Sequence, residues 1–167
     1  MSAPMNLTVK PAAVFEQPAL AMLLQLYLRE FAAFTKIDTD AEGHYRYPYL
    51  AHYWRDPARF PFLLRHRDTI AGFALVRRET DPADGSQQMD MAEFFILPEQ
   101  RRQRLGERAA QSIFALFPGP WQVRVLLANK PAEPFWRHCI AAMTEGQFEE
   151  HIDASSRIFR FQFLSER

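Results

Sequence analysis

One cysteine, Cys139, stands in the 167-residue chain. A lone thiol excludes an internal disulfide and a multi-cysteine zinc site, and it suits a reducing compartment. Net charge is missing too. Lys plus Arg number 20 and Asp plus Glu number 20, so no global field draws the protein to nucleic acid or anionic lipid. No stretch approaches the roughly 18 uninterrupted apolar residues of a membrane span, and Met1 to Lys10 lacks the apolar core of a signal peptide. The expectation is a cytoplasmic protein with no nucleic-acid, membrane or metal partner. Internal repeats and low-complexity linkers are absent as well, and the length suits one domain over residues 1–167.

Core-forming residues are abundant: 48% of the chain is hydrophobic, with 15 Phe. Leu7 to Lys10 reads as a short strand closed by Pro11. From Pro18, the positions Leu20, Leu24, Tyr27, Phe31 and Phe34 follow the spacing of a helix with one buried face. The segment Thr35 to Phe60 mixes Tyr45, Tyr47, Tyr49, Tyr53 and Trp54 with His and Arg, and reads as a loop and a second helix. Phe60 to Arg65 and Thr69 to Glu79 form a hairpin around His66-Arg67-Asp68, with Gly72 marking a bulge or a close backbone approach. Gln88 to Leu97 continues the sheet. A helix runs from Arg102 through Leu105, Ala109, Ile113 and Leu116 to Pro118. Trp121 to Leu127 is a strand, Ala132 to Met143 a helix, and Gly146 to Ile152 with Arg157 to Leu164 a closing hairpin.

The order strand, turn, helix around Pro98 to Gly106 carries chemistry. The free N–H groups and positive dipole end of a helix start form an anion site suited to a diphosphate. Four arginines, Arg101, Arg102, Arg104 and Arg108, add positive charge. The segment Phe94 to Ala109 resembles the coenzyme-binding signature of the GNAT superfamily: a strand, a turn, Arg or Gln, two residues, Gly, one residue, Gly or Ala. Arg101 takes its first position and Gly106 its last, while Arg104 stands where the first glycine is expected. Asn129, Ala132, Phe135 and Trp136 resemble the second signature of that superfamily. The aromatic N-terminal segment and Phe135-Trp136-Arg137 look like a bacterial branch of predicted acetyltransferases.

The resemblance implies an α/β (α+β) fold, with a mixed, mostly antiparallel central sheet of about six to seven strands flanked by about four helices. It implies an N-acetyltransferase that uses acetyl-CoA, or another acyl-CoA, as co-substrate. The implied coenzyme contacts are Phe95, Ile96, Arg101, Arg102, Gln103, Arg104, Leu105, Gly106 and Glu107, together with Asn129, Phe135 and Trp136. The acceptor is expected to be a small-molecule amine or a protein amino group, and a homodimer stays open. The Tyr45 to Trp54 segment is the place to look for acceptor recognition, with an amphipathic or aromatic amine in mind.

An alkylamine with a pKa of about 10 is protonated near neutral pH, so transfer needs a base. Asp90 and Glu93 precede the coenzyme turn. Strand alternation sends them to opposite faces unless a bulge intervenes, which leaves one of the two in the cleft. Glu93, between Ala92 and Phe94, is preferred because an apolar setting raises a carboxyl pKa. A main-chain N–H near Phe95 or Ile96 is the implied oxyanion donor. Trp136 occupies the position at which the family often places a proton-donating Tyr, and indole is no acid. A second reading follows: a catalytically weakened module that binds acyl-CoA as a sensor or interaction domain. Cys139 reads as a small buried side chain rather than a nucleophile.

Overall fold

The computed structural model describes residues 6–164, and of Arg102 only the backbone. The expectations on a leader and on domain extent partly concern residues 1–5 and 165–167, which lie outside the described residues. Apolar alternation organises β1 (Leu7–Pro11), β2 (Arg59–His66), β3 (Thr69–Thr80), β4 (Gln87–Ile96), β5 (Gly119–Leu126), β6 (Phe148–Asp153) and β7 (Ser156–Phe163). They form one seven-stranded sheet in the order β1-β2-β3-β4-β5-β7-β6, antiparallel except between β4 and β5. The β2–β3 hairpin turns on Arg67 and Asp68, whose φ angles of 52° and 63° match a type I′ loop.

Each face of the sheet carries its own core. Leu63, Phe73, Leu75 and Phe95 meet Leu20, Leu23, Leu24 and Leu28 of α1 (Gln17–Phe31). On the other face Phe62, Ala74, Val76 and Met91 meet α2 (Leu105–Leu116) and α3 (Ala132–Thr144). This two-period, two-sided burial is what a half-buried strand pattern requires when helices cover both faces.

Among the described residues there are three α-helices, not about four. The expected second helix is a short 3₁₀ segment, Leu50–Trp54. Pro48 and Pro57 bracket it, and a residue before proline is held away from the helical region. Its aromatic side chains are instead anchored one by one. Tyr53 is buried, and the Trp54 indole donates to the Ala12 carbonyl at 2.9 Å. Phe34 lies beyond the end of α1.

Two irregularities shape the middle of the sheet. Leu75 pairs with Glu93 while Val76 pairs with Met91, so Ala92 is an extra, bulged residue in β4. At Gly72 an added Cβ would lie 2.0 Å from the Phe95 carbonyl oxygen, so the close approach read from the sequence is present. β4 and β5 pair only at Met89 with Trp121 and at Asp90 with Gln122. Beyond that point the two strands part.

Candidate functional site

The gap between β4 and β5 is where the chemistry-bearing residues gather. Because Ala92 is bulged, Asp90 and Glu93 share one face of β4 instead of lying on opposite faces. Both line a cavity of about 490 Å³. The expectation that only one would reach the cleft is thus corrected by one extra residue in the strand.

Their surroundings differ sharply. Asp90 is buried and ion-paired to Arg77 of the neighbouring strand, Nε to Oδ2 at 2.8 Å, and the Gln122 amide approaches its other oxygen at 3.5 Å. Burial raises its pKa and the Arg77 hydrogen bond opposes that rise. The ion pair ties β4 to β3, while Asp90 itself stands opposite Gln122 at the last β4–β5 rung before those two strands diverge.

Among the described residues Glu93 has no ion-pair partner. It accepts hydrogen bonds from the Tyr27 hydroxyl and, at 3.3 Å, from the Tyr47 hydroxyl. Burial pushes its pKa up to about 7, with the two tyrosines only partly offsetting the loss of water. Burial and the Glu93 charge raise the Tyr27 and Tyr47 pKa values, so both stay neutral donors. Glu93 is therefore a carboxyl that changes charge near neutral pH.

Tyr27 was readable only as a buried helix position. The signal that could have singled it out is a hydroxyl set in a leucine stripe, since a half-buried phenol needs a partner. Arg77 and Arg59, which also line this cavity, carried no signal in the sequence. Tyr47, Tyr49 and Tyr53 of the aromatic segment line the cavity as well, although Trp54 turns to the core.

A second cavity of about 800 Å³ adjoins the first and shares with it Tyr27, Phe94, Asn129 and Trp136. Its outer wall is the start of α2. That helix begins at Leu105 rather than Arg102, because Pro98–Gln103 forms a 3₁₀ turn and Arg104 adopts the left-handed conformation, φ 57° and ψ 22°. The free N–H groups of its first turn belong to Leu105, Gly106 and Glu107. Arg104 thus holds the conformation that the missing glycine would adopt freely.

The basic cluster is partly engaged. The Arg101 guanidinium donates to the Ile96 carbonyl and to Glu30, each at 2.8 Å, so it braces the turn against α1. Arg104 is exposed and lies 3.4 Å from Glu107. The side chain of Arg102 lies outside the described ones, Gln103 is exposed, and the Leu105 side chain is buried core. A Cβ on Gly106 would come within 3.2 Å of the Phe135 ring, so the absence of a side chain lets α3 close on α2.

Leu97 N–H donates to the Ala71 carbonyl. By alternation, Phe95 also turns its main-chain groups toward β3, while those of Phe94 and Ile96 face the opening. Of the two oxyanion donors expected, only the Ile96 N–H points into the gap. Trp136 is buried between Phe94 and Phe114, at centroid distances of 5.1 and 6.4 Å. Cys139 is fully buried, which pushes its thiol up to about 12.

Solved structures share this architecture. An aminoglycoside acetyltransferase from an uncultured soil metagenomic sample, in complex with trehalose, matches with a TM-score of 0.65 at 14% identity, over 89% of this chain and 93% of that one. An acetyltransferase from Thermus thermophilus matches at 0.64 and 16% identity, over 95% and 97% of the two chains. Arabidopsis thaliana Naa50 in complex with the bisubstrate analogue CoA-Ac-MVNAL matches at 0.61 and 12% identity, over 95% and 99%. No curated protein sequence matches this one. The acetyltransferase (GNAT) family matches residues 20–139, a span that holds most of α1, the bulged β4, the start of α2 and the Asn129 turn. The chain belongs to the GNAT acetyltransferase family.

Proposed function

We propose that this protein is an acyl-CoA-dependent N-acyltransferase in which Glu93 is the general base. The observation that carries the proposal is a carboxyl poised near pH 7, held by two tyrosines at the parting of β4 and β5. Acetyl-CoA, the co-substrate of the family, would supply a thioester whose carbonyl carbon is the electrophile.

The residues present fit such a ligand. The unpaired edges of β4 and β5 offer main-chain groups to an extended arm, and the α2 start with Gly106 offers N–H groups to a diphosphate. Asn129, Phe135 and Trp136 line the cavity between these two regions. Glu93 takes the proton of the incoming ammonium, the nitrogen bonds to the acyl carbon, and the carbon–sulfur bond breaks with the electrons leaving on sulfur. The Ile96 N–H would face the carbonyl oxygen as charge develops there, and the CoA thiolate, a fair leaving group, would take up the second proton that the nitrogen gives up as the amide forms. The aminoglycoside acetyltransferase among the similar structures supports an amine acceptor. A cytoplasmic location fits the lone, buried thiol.

A sensor reading draws on Trp136, which packs in the core and whose indole can donate a hydrogen bond but cannot act as a general acid. Thiol release with an amine panel separates the two. Thermal-shift titration with acetyl-CoA tests both, since ligand at a hundred times Kd stabilises by about 2.7 kcal/mol. No shift with any CoA species would overturn them together.

A further inference from the structure

The smaller cavity contains groups that proton abstraction does not use. Arg59, at the start of β2, lies with its guanidinium 5.3 Å from the Tyr53 ring centroid and 5.8 Å from that of Tyr49. Among the described residues its carboxylate neighbour is Asp56, 3.5 Å from Nε and too far for a good hydrogen bond. The Tyr53 hydroxyl is buried beside that of Tyr47 but, among the described residues, is in good hydrogen-bonding geometry with no partner, and its residue lines this cavity. A buried hydroxyl and an arginine fork, both short of acceptors, call for an anion with two oxygens.

The charge balance points the same way. Of the arginines that line the cavity, Arg77 is paired with Asp90 and Glu79 and Arg124 lies 4.0 Å from Asp153, which leaves Arg59, with a loose contact to Asp56, as the cation best able to take a ligand anion across from Glu93. Asp90 is already committed to Arg77. A multiply charged cation therefore gains nothing here, whereas an amine carrying its own carboxylate meets a complement at each end.

We propose that the acceptor is an amino carboxylate of the free amino acid class, its amine at Glu93 and its carboxylate held by Arg59 and the Tyr53 hydroxyl. This rests on the acyl-transfer reading above and names the substrate of that same site. The tyrosine walls favour a side chain that is aromatic or aliphatic.

Two measurements test it separately. Calorimetric titration of the full chain, in the presence of CoA, with the twenty common amino acids and their carboxamides reads binding without requiring turnover. At least one acid should bind about 10- to 100-fold tighter than its own amide, the range of a charge-assisted hydrogen-bond pair. Arg59→Gln should bring that acid down to the level of its amide. Tyr53→Phe should weaken the acid several-fold while the melting temperature stays close to that of the wild type, because the buried hydroxyl that is removed makes no well-formed hydrogen bond. If no acid exceeds its amide, or if spermidine binds better than every acid, the proposal is overturned. Thiol release from acetyl-CoA is then followed with the same panel. Carboxylate-dependent binding without thiol release would leave the amino carboxylate site standing and sink the transfer reading.

Discussion

Glu93 is kept in two minds by its surroundings, and both stability and activity register it. Its folded pKa of about 7 lies above the usual 4.5, so its contribution to stability is complete below 4.5 and is lost as pH rises through 7. Glu93→Gln should therefore be more stable than the wild type at pH 8, on the order of 2 kcal/mol once partial contact with solvent is allowed for, and no more stable at pH 4. Urea unfolding at the two pH values checks this. The same substitution should cost roughly 10²- to 10⁴-fold in kcat and remove the rise in rate through pH 7. Asp90→Asn should behave differently. It removes one of the two carboxylate partners of Arg77, Glu79 remaining at 2.9 Å, for about 1–2 kcal/mol of stability, yet keeps the pH-dependent rise. The midpoint should move to lower pH, because the Asp90 charge raises the Glu93 pKa and Arg77 lowers it. Arg104 is a third case. Its left-handed backbone costs an L-residue roughly 1–2 kcal/mol that glycine avoids. Arg104→Gly should raise the urea midpoint, by up to about 1 kcal/mol after glycine's entropy is counted, with no change in slope.

At the level of elements, the Ala92 bulge and Gly72 decide how the end of β4 is presented. Gly72→Ala would drive a methyl into the Phe95 carbonyl and should cost about 2–4 kcal/mol, with a fall in activity as Ile96 shifts; chemical denaturation and initial rates measure both. Gly72 was legible because a lone glycine inside a strand pattern has few other uses. The bulge was not. Nothing in Asp90-Met91-Ala92-Glu93 departs from ordinary strand composition, and bulges depend on pairing with a neighbouring strand. The seven strands, α1 and α3 were legible from periodicity, and the turn-then-helix order around Arg101 to Gly106 from its motif. The start of α2 was misplaced by three residues because an arginine with positive φ leaves no trace in composition. The aromatic segment gave its role in lining a cavity but not its 3₁₀ form, since separate anchors such as the Trp54 indole on Ala12 are tertiary contacts.

On the scale of the whole molecule, the sheet is two unequal pieces, β1 to β4 and β5 with β7 and β6, that meet on the β4–β5 rung at Met89 and Asp90. α2 and α3 reinforce that seam by packing on each other and on both pieces. The parted strands can thus be regarded as a zipper left half undone. A ligand arm lying in the opening would supply missing teeth to both sides, so that occupancy is felt as mechanical continuity across the sheet. Amide exchange should report it: with CoA present, protection should rise along Val123 to Leu126 and spread into β7, far from any atom the ligand touches. Slower exchange confined to the α2 start would mean instead that the zipper stays open when the site is full.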